Sequence, residues 1–176
     1  NDEQKDCALE HISREGKRLE KLSGKMLQML GLHQNDSIKM ESHAIGELLK
    51  QVAQLEAEQA AQKQIQLQTE YEDFSLKMDE ELMESLIVNL TDNVLHATEP
   101  GGYIILKAYK ESGKKILEVA DNGRGIPQEE MGKITEAFYM VDKSRSRQEG
   151  GAGLGLALCV KIAEVHGARL DIVSQI

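Results

Sequence analysis

Three stretches of this chain combine residue types that could do chemistry. The first is Asp121-Asn122-Gly123-Arg124-Gly125-Ile126-Pro127, which follows the strand-like run Lys115-Ile116-Leu117-Glu118-Val119-Ala120. A carboxylate at a strand end can accept a hydrogen bond from an exocyclic amine such as that of adenine. Glycines two apart let backbone approach a flat ligand closely. Asp-Asn-Gly is also ordinary turn chemistry, and these residues alone leave both readings open. The second stretch holds Asn89, Asp92 and Asn93. Two amides four apart share one face of a helix, where asparagine is a mediocre helix former. They are either solvated amides or an oxygen ligand for a hard cation with its orienting neighbour. The third is Gly150-Gly151-Ala152-Gly153-Leu154-Gly155-Leu156, which runs straight into an apolar helix. A glycine-rich turn at a helix start exposes N–H groups beside the positive dipole end, which suits phosphate. A flexible hinge is the plainer reading, but Lys143, Arg145 and Arg147 just upstream add cations that also suit phosphate.

Hydrophobic periodicity predicts the elements that must hold these stretches. A helix over about Asp6 to Leu32 carries Leu9, Ile12, Leu19, Leu22, Met26 and Met29 on one stripe. Such a stripe needs a partner, and a hairpin or bundle partner on another segment or a second chain fits it. Gly31 to Ser42 is polar and reads as a linker. A second helix is expected from about His43 to Gln62, with Ser42 as its cap. Gln64 to Tyr71 alternates like a half-buried strand, and Phe74, Leu76 and Met78 suggest another. Asp79 is placed to cap a third helix, Glu80 to about Ala97. Strands over Tyr103–Tyr109 and Lys115–Ala120 form a hairpin through Glu111-Ser112-Gly113. Pro127 suits the first turn of a short helix from Gln128 to about Ala137. The apolar helix from Leu156 to about His166 should end at Gly167, before a last strand over Arg169 to Ser174.

The totals narrow the class. A chain of 176 residues suits one globular domain plus an extension. Aromatics are only 3%, so the core must be built from Leu, Ile, Val, Ala and Met. The formal charge of −9 argues against a broad nucleic-acid surface. Cys7 and Cys159 lie far apart without metal spacing, which fits reduced thiols. No apolar run reaches membrane-spanning length and no signal peptide is visible. The start at Asn1 and the end at Ile176 suggest a fragment.

Taken in order, these stretches resemble the ATP-binding catalytic region of two-component sensor histidine kinases. The matching pieces are Asn89-Leu90-Thr91-Asp92-Asn93 (the N box), Asp121 to Gly125 (the first glycine box), Phe138 to Arg145 (the F box and lid) and Gly151 to Leu156 (the second glycine box). Each alone is weak; four in order on a helix, a strand end, a loop and a helix start are specific. A Rossmann reading fails because no strand immediately precedes Gly151 and the acidic residue lies upstream. The resemblance implies residues 37–176 as the catalytic domain, lacking the family's closing strand after Ser174. It implies residues 1–36 as the second helix of a dimerisation and phosphotransfer hairpin plus linker. The implied fold is α/β, a two-layer α/β sandwich of the histidine-kinase and gyrase type with an N-terminal helical extension.

The resemblance also implies roles. Asn93 would hold Mg2+ on the phosphates of ATP, with Asn89 supporting the nucleotide one turn earlier. Asp121 would read the adenine amine, Gly123 and Gly125 would give backbone room, and Ile126 an apolar contact. Lys143, Arg145 and the backbone at Gly151, Gly153, Leu154, Gly155 and Leu156 would face the triphosphate. Asn89, Asn93 and Arg145 are thereby the catalytic candidates. The intact parent would phosphorylate a histidine as a homodimer and pass the group to a response-regulator receiver domain, with no nucleic acid involved. The fragment would be cytoplasmic, and parents of this type are often anchored in the bacterial plasma membrane.

This sequence departs from the family's pattern at three points. His96 and Ala97 stand where the family has a lysine and then an aromatic, which predicts weaker nucleotide binding. No H box is present: His11 is followed by Ile12-Ser13-Arg14, without the usual acidic neighbour and proline. The closing strand is the third. Two other functions compete. A gyrase- or MutL-like ATPase would need a water-activating glutamate where Asn89 stands, and an amide is no base. Asp92 is a conceivable substitute, though on another face. A degenerate, non-catalytic nucleotide-binding module is kept alive by His96 and Ala97.

Overall fold

A computed structural model describes residues 2–32, 38–141 and 153–175. A long helix, α1 (Asp2–Gly31), precedes β1 (Glu41–Ala44), α2 (Ile45–Gln62), β2 (Gln66–Tyr71), β3 (Ser75–Met78), α3 (Glu80–Ala97), β4 (Tyr103–Glu111), β5 (Lys114–Asp121) and α4 (Gly155–Val165). Strands β2, β4 and β5 form a mixed sheet: β2 runs parallel to β4 and β4 antiparallel to β5. Strands β1 and β3 form a small antiparallel pair. Helices α2 and α3 lie against the mixed sheet, and α4 packs on α3. This is the expected two-layer α/β arrangement with a helical extension.

Local chemistry explains most of the elements. Leu82 N donates to Asp79 Oδ1 at 3.1 Å, so Asp79 caps α3 as expected. Along β4, Ile104, Leu106 and Ala108 are buried while their neighbours are not, the period of a strand with one face on a core. The core is aliphatic: Ile45, Leu48, Leu49, Val52, Met78, Ile87, Leu95, Ile104, Leu106, Leu158 and Ile162 are all fully enclosed. Cys159 lies in it too. Burial pushes its thiol up to about 12, so it remains a protonated, inert thiol.

Four expectations are corrected. Ser42 does not cap α2: it lies in β1, and the N-cap is Ala44 without a side-chain bond. His43 and Ala44 likewise belong to the strand, because they pair with Leu76 and Ser75 far along the chain. Residues 128–137 form successive turns, not a helix. Glu130, Lys133 and Glu136 N–H groups each reach back three residues, and only Ile134 closes an α-type bond, to Glu130. Ile134 is the one core side chain of this segment, so no apolar stripe exists to straighten it. Arg169 to Ser174 pairs with no strand among the described residues. Instead, Ser174 Oγ accepts from Ile126 N at 2.7 Å, which lays the segment beside the loop after β5.

The stripe on α1 is only partly used within the chain. Leu32 is 7% exposed in the core and Met29 packs on it, whereas Leu9, Ile12 and Leu19 are more than 60% exposed.

One acidic residue is buried at a cost. Glu56 on α2 is 8% exposed. Burial and the nearby Asp92 raise its pKa above 4.5, with Lys21 opposing. The folded state therefore holds its proton where the unfolded chain has lost it. Stability falls as pH climbs from about 4.5 through the raised value, and stays lower above it. Glu56→Gln should therefore stabilise the fold at pH 7 and leave it nearly unchanged at pH 4. Urea unfolding at the two pH values measures the difference.

Candidate functional site

The candidate site follows the C-terminal half of α3, from Asn89 to Ala97. At one end, α3 stops at Ala97 and the Asp121 loop closes over it. Arg124 N donates to the Ala97 carbonyl at 3.1 Å. A β-carbon on Gly123 would lie 2.8 Å from that carbonyl oxygen, so only glycine lets the loop come this close. Asn122 Oδ1 accepts from Tyr103 N at 2.8 Å and ties the loop to the first residue of β4. Asp121 Oδ1 accepts from Gly123 N at 2.8 Å, which fixes the exposed carboxylate and leaves Oδ2 for an outside donor. Gly125 turns the chain at φ +70, and Ile126 lines a cleft with Pro127, Gln128, Glu129, Ser174 and Gln175.

At the other end, the two asparagines meet the start of α4. Asn89 is buried, and its Nδ2 donates to the Ser85 carbonyl at 2.7 Å. That bond turns Oδ1 toward Gly155: a β-carbon there would sit 3.4 Å from Asn89 Oδ1 and 3.6 Å from Asn93 Nδ2. Asn93, one turn on, is exposed. The N-cap of α4 is Leu154, with no side-chain cap and no acidic residue in the first turn. The opening N–H groups of α4 thus lie beside the amide pair, with no acidic residue in the helix's first turn to offset the dipole. Leu154 is 2% exposed, so backbone is all it can offer a ligand; Leu156 is half-buried.

Phe138 N donates to the Gly153 carbonyl at 2.7 Å and joins the F box to the second glycine box. Phe138 itself stands at φ +67 and is 59% exposed. Lys143, Arg145, Arg147 and Gly151 lie outside the described residues.

Residues 78–176, more than half of the chain, match the family described as histidine kinase-, DNA gyrase B-, and HSP90-like ATPase. The chain belongs to that family. Among proteins similar to this histidine kinase-type ATPase domain is the sensor histidine kinase YkoH of Bacillus subtilis, 32% identical over 168 residues. That match takes in 96% of this chain and 36% of YkoH, so the chain spans about a third of that relative. The histidine kinase ShkA, solved in complex with AMPPNP, superposes with a TM-score of 0.62 at 27% identity, over 82% of this chain and 32% of ShkA. Histidine kinase ThkA, in complex with the response regulator protein TrrA, shares the fold with a TM-score of 0.68 at 23% identity, over 86% of this chain and 42% of its own. Among the described residues no helix is long and apolar enough to cross a membrane.

Within this ATPase-family domain, His96 and Asp92 now have a geometry. His96 Nδ1 lies 2.6 Å from the Asp92 carbonyl, one turn back. Nδ1 must therefore carry a proton, and the neutral ring presents only a lone pair at Nε2, a poor partner for phosphate. Asp92 Oδ1 accepts from Gln59 Nε2 of α2 at 3.2 Å. Asp92, the conceivable substitute for a water-activating glutamate, is thus turned onto α2. One residue that no local pattern marked is also here: Lys25 of α1, whose Nζ would lie 3.7 Å from a β-carbon on Gly155.

Proposed function

We propose that this chain is the ATP-binding catalytic region of a sensor histidine kinase, which presents the γ-phosphoryl group of ATP to a histidine for relay to a response-regulator aspartate. One observation carries the reading. Asp121 in the loop over the C-terminal end of α3, and the Asn89–Asn93 pair one to two turns back along α3 against the start of α4, suit the base and the polyphosphate of one nucleotide.

Asp121 Oδ2 would accept from the adenine amine, beside the bare backbone of Gly123 and Gly125. Asn89, held by Ser85, and Asn93 would hold the polyphosphate end, Asn93 through Mg2+. The ion would neutralise charge on the phosphates. The N–H groups from Gly153 to Leu156 would add a positive dipole end. Phosphoryl transfer asks mainly for positioning and charge neutralisation, and these groups supply both. Arg145, Lys143 and Gly151 are proposed as further phosphate contacts. Hydrolysis is disfavoured: Asn89 is an amide and Asp92 is taken up by Gln59. The relatives' names support the transfer, and the ThkA–TrrA complex supports a receiver domain as partner. A homodimeric parent fits the apolar residues that α1 leaves exposed.

Calorimetric titration with ATP, with and without Mg2+, tests the reading. Binding should appear and tighten with Mg2+. No binding at millimolar ATP would sink it, and steady phosphate release would favour an ATPase instead.

A further inference from the structure

Three helices bring polar groups to one point. A β-carbon on Gly155 would meet Asn89 Oδ1 at 3.4 Å, Asn93 Nδ2 at 3.6 Å and Lys25 Nζ at 3.7 Å. Two of these groups come from α3. The third comes from α1, some sixty residues earlier in the chain and outside the matched family segment.

Lys25 is held there by its own helix. Leu32, just past the end of α1, is buried in the core and Met29 packs on it. Ser85 Oγ donates to Gln28 Oε1 at 3.2 Å, and the carbonyl of the same Ser85 orients Asn89. Burial lowers the pKa of Lys25, while Asp92 works the other way. Yet among the described residues no carboxylate closes an ion pair with it. A half-buried ammonium that no carboxylate of the described residues contacts directly is costly to keep. Here it faces the open start of α4, where the helix dipole adds more positive charge. A bound anion would satisfy both. His96, meanwhile, turns Nδ1 onto the Asp92 carbonyl.

We propose that Lys25 of α1 is a polyphosphate ligand of the nucleotide site, supplying from the helical extension the cation that α3 lacks at His96. The inference rests on the nucleotide reading above. It makes the catalytic domain's grip on ATP depend on α1 lying against α3 and α4.

Lys25→Met tests it on the full chain, with affinities for Mg-ATP and for adenosine measured by calorimetry or by displacement of a fluorescent nucleotide. ATP binding should weaken by about tenfold, the loss of one charge-assisted contact. Adenosine affinity should not change, because it has no phosphate to lose. Lys25→Gln, which keeps a polar side chain, should behave alike if the methionine variant folds poorly. Unchanged ATP affinity, or equal losses for ATP and adenosine, would overturn the role of Lys25. Failure of the unaltered chain to bind ATP at all would instead overturn the site itself, so the two failures are distinguishable.

Discussion

Asp121→Asn should raise the dissociation constant for ATP by roughly ten- to a hundredfold while leaving the melting midpoint nearly unchanged. The asparagine can keep Oδ1 where Gly123 N donates at 2.8 Å, so the loop retains its turn. What changes is the other atom. A carboxylate oxygen able to accept from an amine becomes an NH2 group that donates, and two donors then face each other. Losing a hydrogen bond to a charged group costs about 1.5–3 kcal/mol, and repulsion between the donors adds to it. Asp121 is exposed, which keeps the effect toward the lower part of that range. Calorimetry on the two proteins at the same Mg2+ concentration measures it. An Asp121→Asn variant that binds ATP as the parent does would remove the base-reading role.

Gly153→Ala should be the most damaging single methyl in the site. Gly153 sits at φ +68, where a β-carbon alone costs about 1–2 kcal/mol. Here that carbon would also lie 2.7 Å from Phe138 C and 2.7 Å from the Tyr139 carbonyl oxygen, both backbone atoms. Backbone cannot swing aside as a side chain can, so the bond from Phe138 N to the Gly153 carbonyl must stretch or break. A loss of about 3 kcal/mol is expected, lowering the melting midpoint by roughly 6–12 °C. Gly167→Ala is the control. It has a similar φ of +64 at the end of α4 but nothing within 4 Å, so it should pay only the backbone term. Equal losses at the two glycines would show that the contact with the F box contributes nothing.

These two sites were legible to different degrees. Asp121 is visible because a strand, a carboxylate and two glycines are neighbours in the chain. The contact between Gly153 and Phe138 is not, since it joins residues on either side of the lid stretch.

The same division runs through the molecule. Residue order by itself determined α2, α3, α4 and the β4–β5 hairpin, because helix and strand periods, the Asp79 cap and a short turn act over a few residues. The four motifs also stand in order along the chain, and with them the family. Only tertiary structure decided the rest. Strand β1 exists because β3 supplies its partner. Residues 128–137 stay in turns because a single side chain, Ile134, is buried there. Gln59 claims Asp92, and Lys25 reaches Gly155, through packing of α2 on α3 and of α1 on α4. Such contacts depend on where whole helices come to rest. That is settled by the burial of their apolar faces and leaves no mark on the residues nearby in sequence.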